Sequence, residues 1–225
     1  MKKGIFEITE NTAVVPAVMR MRLRGDCSAI TRPGQFVNIA LDGLYLRRPI
    51  SVCDCRGDEL TIIYKVVGRG TAQMSRMQCG EQLDILSGLG NGYDLSLSGE
   101  RPLLLGGGVG VPPLYWLARC LRDEGKHVTA VLGFNRADEI FYERELRELG
   151  AEVIVTTVDG SYGVRGFVTD AMASLDYTYF YTCGPEPMLR AVYSAAKTEG
   201  ELSFERRMGC GFGACMGCSC KTITG

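Results

Sequence analysis

The stretch Pro102-Leu-Leu-Leu-Gly-Gly-Gly-Val-Gly-Val-Pro-Pro113 joins a short apolar run to a glycine-rich turn and two prolines. A short continuous apolar run is typical of a strand that is buried on both faces of a parallel sheet. Proline is tolerated in the first turn of a helix, because its missing N–H would have no partner there. The stretch therefore predicts a strand, a tight turn and a helix, the unit from which parallel sheets are built.

The same alternation continues through residues 99–202, which we predict to form an α/β domain. Further strands are expected at His127–Leu132, Glu152–Thr157 and Tyr177–Thr182, and helices at Leu114–Asp123, Ala137–Leu149 and Pro187–Glu199. Because strands that alternate with helices pair side by side in one direction, the domain should contain a parallel sheet.

Residues 1–98 are instead predicted to form a small antiparallel β barrel. Short strands are expected at Thr12–Leu23, Gln35–Leu41, Pro49–Cys55, Leu60–Val67 and Gln82–Leu86, with a short helix between Gly70 and Gln78. Glycine, proline and aspartate separate these strands, and several short strands at such spacing are typical of barrels.

The composition is that of an ordinary globular protein, with 225 residues, 46% of them hydrophobic, and a net charge of -1. The mixed charges form no basic stripe, so we expect no nucleic-acid partner. Because no stretch has the roughly twenty apolar residues of a membrane span, and acidic residues follow the first lysines, we expect neither a membrane span nor a signal peptide. We therefore predict a cytoplasmic protein, in which most of the scattered cysteines are small buried residues.

Two turns of the α/β domain are candidate ligand sites. The first contains Gly106, Gly107, Gly108 and Gly110. Their amides lie between a strand and a helix and can converge on a phosphate. The alternative interpretation is that these glycines only form a tight turn and bind no ligand. In the second, a strand ends at Cys183-Gly184 and a helix follows. Because the carboxyl ends of parallel strands line one crevice, Cys183 should face the same ligand, and a purely structural role for it is equally open.

The barrel contains two candidate anion sites. In Leu46-Arg-Arg-Pro-Ile-Ser-Val52, an arginine could bind a pyrophosphate and Ser51 could bond a ring or a ribose, although the arginines could also be simply solvated. Gly70 and Thr71 begin the short helix and offer a second set of amides.

The last segment, residues 203–225, contains Cys210, Cys215 and Cys218 in the spacing C-x4-C-x2-C among glycines. This spacing is typical of a plant-type 2Fe-2S cluster, whose iron atoms bind thiolates. A zinc site or disulfides remain alternatives. Cys220 is expected not to be a ligand, because only one residue separates it from Cys218.

The order of these motifs resembles that of the ferredoxin-reductase superfamily. Within it, the chain closely resembles the family of electron-transfer subunits of NAD-dependent dihydroorotate dehydrogenase, the B type. The resemblance runs from Pro33-Gly-Gln-Phe36 to the last residue and includes Arg-Pro-Ile-Ser, the glycine turn, Cys-Gly-Pro-Glu-Pro-Met and the cysteine spacing.

The resemblance implies the role of each motif. FAD would be bound by Arg48, Pro49, Ile50, Ser51, Ile63, Tyr64 and Lys65, with Gly70 and Thr71 at its pyrophosphate. NAD would be bound by Gly106, Gly107, Gly108 and Gly110, with Cys183 and Gly184 near the nicotinamide and Cys183 the candidate catalytic residue. Cys210, Cys215 and Cys218 match the first three cluster ligands, and the family's fourth falls beyond Gly225.

The resemblance also implies a partner and a reaction. A separate FMN-containing subunit would oxidise dihydroorotate in pyrimidine biosynthesis, and electrons would travel through the 2Fe-2S cluster and FAD to NAD in a hetero-oligomer. The cofactors carry this chemistry, so no catalytic role is expected for the single histidine, His127. One alternative is an NAD(P)H reductase of flavin or ferredoxin, either stand-alone or as a subunit of another redox complex such as a ferredoxin:NADP oxidoreductase. The other is a non-catalytic zinc-binding interaction module. Arg136 could favour NADP by meeting its 2′-phosphate.

Overall fold

The chain folds into a closed antiparallel barrel followed by a parallel sheet with helices. The computed structural model describes residues 1–205, 208–215 and 217–218. The barrel has six strands in the order β1-β2-β5-β4-β3-β6, and the sheet has six in the order β10-β9-β8-β7-β11-β12. The predicted fold class is therefore confirmed, while the domain limits at residues 98 and 202 stay predictions.

The barrel strands are built on alternation of buried and partly exposed side chains. The elements are β1 (Lys2–Val15), β2 (Val18–Arg24), β3 (Phe36–Ile39), β4 (Arg48–Arg56), β5 (Glu59–Lys65), the short helix α1 (Arg69–Met74) and β6 (Gln82–Leu89). In β6, for example, Leu83, Ile85, Ser87 and Leu89 are buried and the residues between them are not. This period of two turns one face of each strand into the barrel interior.

The predicted strand Thr12–Leu23 is wrong, because a hairpin divides it. Val15 pairs with Val18, so Pro16 and Ala17 form a two-residue turn. Ala17 has a φ of 61°, in the left-handed region that glycine or asparagine usually occupies. Neither of those residues is present at this turn, so the sequence carries no ordinary hairpin signal here.

The second sheet is parallel throughout. Its elements are β7 (Pro102–Gly107), α2 (Pro112–Asp123), β8 (Thr129–Phe134), α3 (Glu143–Glu148), β9 (Glu152–Thr157), β10 (Val164–Arg165), α4 (Val168–Met172), β11 (Tyr179–Cys183), α5 (Glu186–Ala195) and β12 (Gly200–Ser203). All six residues of β7 are buried, as the apolar run predicted. Because β7 lies between β8 and β11, the turns that follow these three strands meet at one edge of the sheet. Among the described residues, no helix is long and apolar enough to cross a membrane.

The predicted helix Ala137–Leu149 is wrong over its first half. Residues Ala137–Glu139 form a single 3-10 turn, and the α-helix begins only at Glu143. Between them, Phe141 and Tyr142 are buried, and Tyr142 has a φ of 66°. The ring of Tyr142 packs edge-on against Tyr115, with centroids 5.0 Å apart. Burial of these two rings is the physical reason that the segment leaves the helical path.

The barrel and the sheet share one of the three buried hydrophobic clusters of the described chain. Cys53 and Ile63 of the barrel belong to the same buried cluster as Leu114 and Tyr142 of the second domain. The side chain of Arg119 on α2 adds a polar contact, since its Nη2 donates to the carboxylate of Asp54 on β4. These contacts fix the cavities of the two domains side by side.

Candidate functional site

A cavity of about 610 Å³ lies at the edge of the parallel sheet where β7, β8, β9 and β11 end. We call it the sheet-edge cavity. Of the predicted dinucleotide residues, its lining includes Gly107, Gly108, Gly110, Cys183 and Gly184. This is the edge at which open parallel sheets bind their ligands.

The glycine turn is packed too tightly for side chains at several of its positions. A Cβ on Gly106 would lie 2.9 Å from Val111 Cγ2, and a Cβ on Gly107 would lie 2.5 Å from Met188 Sδ. Gly106 is buried beneath the turn and does not line either cavity, whereas Gly108 has a φ of 52° and open space beside it. The turn therefore exposes its backbone to the cavity, which suits a phosphate ligand.

One buried hydroxyl of the sheet-edge cavity has no hydrogen-bond partner within the described part of the chain. Thr156 on β9 is fully buried, and its Oγ1 makes no hydrogen bond. A buried polar atom without a partner costs free energy, about 1–3 kcal/mol, unless a ligand or water completes it. Thr156 borders the cavity, but its side chain is fully buried, so a ligand would reach this hydroxyl only after a local shift of the residues that cover it.

A second cavity, of about 790 Å³, lies between the barrel and the end of β12. We call it the barrel cavity. Its lining includes Pro49, Ile50, Ser51, Ile63 and Tyr64 from the predicted flavin residues. The Tyr64 hydroxyl donates to Asn11 Oδ1 at 3.1 Å, and burial raises the pKa of Tyr64 to about 12. The mixture of aliphatic, aromatic and hydroxyl groups fits a planar ring system with polar edges.

The remaining predicted flavin residues lie in two other places. Arg48 crosses α1 so closely that a Cβ on Gly70 would lie 2.2 Å from Arg48 Nε. Thr71 closes the start of α1, since its Oγ1 accepts hydrogen bonds from the amides of Val67 at 2.9 Å and Gly68 at 3.2 Å. The structure thus brings Arg48, Gly70 and Thr71 together, whereas Lys65 lines the sheet-edge cavity.

The two cavities meet at three residues that line both: Val109, Cys183 and Glu205. Cys183 ends β11 and is 6% exposed. Burial raises the pKa of its thiol to about 12, so the side chain is neutral at physiological pH. A neutral thiol at this junction offers contact rather than charge.

The cysteine segment packs against the barrel through Asn38 of β3. Asn38 Nδ2 donates to the carbonyl of Cys210 at 3.4 Å, and a Cβ on Gly211 would lie 2.6 Å from that nitrogen. Backbone amides of Phe212, Cys215 and Ala214 are directed at the Cys210 sulfur and, with the Cys215 thiol, lower the pKa of Cys210 to about 6.

Amides around a thiolate are the environment that suits a cluster ligand. In the described part of the segment, however, no three Cys, His, Asp or Glu side chains converge in a geometry that could hold a metal ion. The nine described cysteines are free thiols, so none of them forms a disulfide. The ligand set Cys210, Cys215 and Cys218 stays a prediction, and Cys220 lies outside the described residues.

Sequence reasoning missed several residues of the two cavities. These are Phe36, Tyr93, Val109, Glu139, Thr156 and Glu205. Phe36 and Val109 stood inside motifs that had been noted, so their position was a usable signal. Glu139 stood in a segment predicted to be a helix, and Glu205 stood in the segment before the cysteines, so neither position carried a signal of a cavity.

A closed barrel whose cavity adjoins the ligand edge of a parallel sheet defines a two-domain nucleotide-binding oxidoreductase of the ferredoxin-reductase type. Residues 104–194 match the family model described as oxidoreductase NAD-binding domain. The structure of an NADH-dependent reduced ferredoxin-NADP oxidoreductase, from work on flavin-based electron bifurcation, is 30% identical with a TM-score of 0.85 and covers 95% of this chain and 80% of its own. A ferredoxin NADP+ reductase from Neisseria gonorrhoeae, 16% identical with a TM-score of 0.78, covers 91% of this chain and all of its own, and shares the fold.

Curated relatives narrow the class to one family. A dihydroorotate dehydrogenase B (NAD(+)) electron transfer subunit from Fusobacterium nucleatum is 45% identical over 98% of this chain and 90% of its own length. The subunit of the same name from Shouchella clausii is 41% identical over 100% of this chain and 90% of its own length. The chain belongs to the family of dihydroorotate dehydrogenase B electron transfer subunits, which confirms the predicted family and favours redox chemistry over a zinc module.

Proposed function

We propose that this chain is the electron transfer subunit of a dihydroorotate dehydrogenase and passes electrons from an FMN-containing catalytic subunit to NAD+. Membership in the family supports this proposal, because the relatives carry that name. The structural observation that carries it is the junction of two cavities at Val109, Cys183 and Glu205. A flavin in one cavity and a nicotinamide in the other could then approach each other directly where the two cavities adjoin.

The barrel residues would hold FAD. Arg48 beside Gly70 and the amides at the start of α1 supply positive charge and donors for a pyrophosphate. Pro49, Ile50 and Ser51 line the barrel cavity and would orient the ring system. When bound, the flavin supplies the exchange between single electrons and the electron pair that a nicotinamide requires.

The sheet would hold NAD+ as the substrate. Gly107, Gly108 and Gly110 present backbone to the cavity and would cradle its pyrophosphate. The neutral thiol of Cys183 would contact the nicotinamide ring without adding charge, so we assign it an orienting role rather than acid-base work. The apolar wall around it would exclude water from the reacting rings.

The cysteine segment would hold the 2Fe-2S cluster, with Cys210, Cys215 and Cys218 as ligands. Amides directed at Cys210 would stabilise its thiolate form and bond to sulfur. When bound, such a cluster carries one electron at a time. The contact of Asn38 on β3 with the Cys210 carbonyl supports a position of the cluster close to the barrel that would hold FAD. We propose that the complex works in the cytoplasm.

The test uses the complex of this chain with the FMN-containing catalytic subunit, purified under anaerobic conditions. Addition of dihydroorotate and NAD+ should produce NADH, while each subunit alone should not. Flavin and iron analysis of the complex should find FAD, FMN and iron. A stand-alone reductase would give a different result. The chain alone would oxidise NADH with ferredoxin or free flavin as acceptor, and the mixture of subunits would show no dihydroorotate-dependent reduction of NAD+. A colourless protein that binds no FAD would contradict both.

A further inference from the structure

One face of the barrel strands β3 and β4 borders the barrel cavity. Phe36 pairs with Ser51 across the two strands, and Asn38 pairs with Pro49. Phe36, Pro49 and Ser51 line the cavity. Because side chains two residues apart on a strand point to the same side, Asn38 lies on the face that Phe36 presents to the cavity.

The cysteine segment packs on this same face. Asn38 Nδ2 donates to the Cys210 carbonyl at 3.4 Å. A Cβ on Gly211 would lie 2.6 Å from Asn38 Nδ2 and 3.8 Å from Phe36 Cε2. Met208, two residues before Cys210, lines the barrel cavity. The main chain at Cys210 and Gly211 therefore rests on β3, next to the cavity that would hold the flavin.

The side-chain amide of Asn38 is only half used within the described part of the chain. The residue is 1% exposed, and its Oδ1 has no hydrogen-bond partner there. A buried acceptor without a partner costs free energy, so an apolar side chain of the same size would suit the barrel at least as well. The other half of the amide donates to the Cys210 carbonyl, so the polarity of Asn38 serves the cysteine segment rather than the barrel.

We propose that Asn38 is a positioning residue, whose amide holds the ligand loop of the 2Fe-2S cluster on the face of β3 that borders the flavin cavity. Cys210 is the first of the predicted ligands, so a hydrogen bond to its carbonyl fixes the main chain from which that ligand projects. Partners outside the ligand shell orient the ligands and tune the metal, and their loss typically weakens metal binding by about 10–100-fold. The inference rests on the proposed function, since it assigns a residue that positions one of its cofactors.

The test measures the cluster rather than turnover, on the holoprotein purified under anaerobic conditions. Asn38→Leu keeps the approximate size of the side chain and removes both the donor and the unpartnered oxygen. We expect this variant to lose iron to a chelator about tenfold faster than the wild type. The g values in the EPR spectrum of the dithionite-reduced cluster should shift as well, because the main chain around Cys210 is no longer held.

A merely structural role for Asn38 predicts different readouts. If the amide only stabilised the barrel, Asn38→Leu would lower the stability to urea and leave the g values unchanged. We expect instead that stability and FAD content are kept, since the variant also removes a buried unpartnered acceptor. Asn11→Leu is the matched control, because Asn11 Nδ2 donates to the carbonyls of Met74 at 2.8 Å and Met77 at 2.9 Å, not to the cysteine segment. Iron release and g values should not change in that variant.

A pair of glycines tests the packing contact independently. Gly211→Ala adds a methyl group against Asn38 at a position with a φ of 76°. Gly213→Ala adds one at a position with a φ of 85° and open space beside it. The backbone strain is similar in the two variants, but only the first pushes the segment away from the barrel. We therefore expect Gly211→Ala to lose iron several-fold faster than Gly213→Ala.

Several outcomes would overturn the inference. An Asn38→Leu protein with wild-type iron release and g values would do so, and so would one that is destabilised while its g values stay the same. Equal iron loss from Gly211→Ala and Gly213→Ala, or from Asn11→Leu and Asn38→Leu, would also contradict it. These results would leave the proposed function intact, because the wild-type protein still holds its cluster. A wild-type protein that binds FAD but holds no iron would overturn the inference together with the electron path of the proposed function.

Discussion

Gly110 in the glycine turn and Cys183 at the end of β11 are in direct backbone contact. A Cβ on Gly110 would lie 2.1 Å from the Cys183 carbonyl oxygen and 2.8 Å from Gly184 Cα. Only glycine permits this approach, because any side chain would overlap main-chain atoms that cannot rotate away. The two turns thus form one continuous wall at the junction of the two cavities.

The contact predicts that Gly110→Ala weakens dinucleotide binding and destabilises the protein. The added methyl group must push the two turns apart, and overpacking of this kind costs about 1–3 kcal/mol. Because the cavity wall itself moves, the affinity for NAD+ should fall by about tenfold or more. Urea unfolding and calorimetric titration measure the two effects.

A matched control separates loss of stability from loss of the site. Gly57 lies in the turn between β4 and β5, has a φ of 60° and has open space beside it. Gly57→Ala should cost about 1 kcal/mol through its backbone conformation alone. It should leave the affinity for NAD+ unchanged. Equal loss of affinity in both variants would show that the contact with Cys183 has no special part in binding.

Arg47 and Arg48 are adjacent in sequence but are predicted to differ in function. Arg47 donates to the carbonyls of Asn38 at 3.2 Å and Asp84 at 3.0 Å, so Arg47→Ala should lower the stability of the flavin-free protein by about 1–3 kcal/mol. Arg48 lies against Gly70, and Arg48→Ala should lower FAD retention with a smaller effect on that stability. Flavin content after gel filtration and urea unfolding of both variants provide the comparison.

The opposite pattern, in which Arg47→Ala loses flavin and Arg48→Ala does not, would contradict the assignment of Arg48 to FAD. Lys3→Ala serves as a control for the loss of one positive charge from the barrel. Its side chain is 64% exposed and pairs with Asp84 at 3.0 Å. Flavin content should not change in this variant.

The parallel sheet was predictable because its signals are local. The apolar run of β7 indicates a buried strand, the glycines after it indicate a tight turn, and the prolines indicate the start of α2. Candidate residues on these turns could accordingly be named from the sequence, and their roles toward a ligand stay predictions. Strand ends in a parallel sheet converge by topology alone, so Cys183 could be expected beside the glycine turn without knowledge of side-chain packing.

The missed features depend on packing that no local pattern reports. Ala17 and Tyr142 have positive φ without being glycine or asparagine, so turn rules did not find the hairpin or the break before α3. The helix predicted over Ala137–Leu149 hid Glu139, which lines a cavity because the chain leaves the helix there. The sequence does not distinguish Arg47 from Arg48, because the partner of Arg47 is Asp84, which lies 37 residues away in the chain.

The ion pair between Arg119 and Asp54 is expected to stabilise the contact between the domains. Arg119 is 19% exposed and Asp54 is 13% exposed, and Arg119 Nη2 also lies 3.3 Å from the Cys55 carbonyl. Arg119→Met keeps most of the apolar stem but leaves a nearly buried carboxylate with one partner fewer. We expect a loss of about 1–3 kcal/mol in the free energy of unfolding.

Arg56 provides the control because it pairs with the same carboxylate from the surface. Its Nε lies 3.0 Å from Asp54 Oδ2, but its side chain is 60% exposed. Arg56→Met should therefore cost less than about 1 kcal/mol. A double-mutant cycle with Asp54→Asn measures each coupling. Equal coupling energies for the two arginines would contradict a special role of the interdomain pair.

Asp84 on β6 should make the stability of the barrel depend on pH. Burial by itself raises the pKa of Asp84, but hydrogen bonds from Lys3 and Arg47 outweigh it and hold the pKa below its ordinary value of 3.8. Because the folded-state pKa is depressed, the carboxylate contributes stability that is present above about pH 4 and is lost as the pH falls through the folded-state pKa.

Asp84→Asn should therefore lower the free energy of unfolding by about 1 kcal/mol at neutral pH, and this difference from the wild type should shrink in acid. Asp58→Asn, in a carboxylate that is 75% exposed and 3.8 Å from Arg24, should change the stability by less than about 0.5 kcal/mol at neutral pH. Urea unfolding of the three proteins across the acid range is the measurement, and a difference between wild type and Asp84→Asn that grows as the pH falls would contradict the depressed pKa.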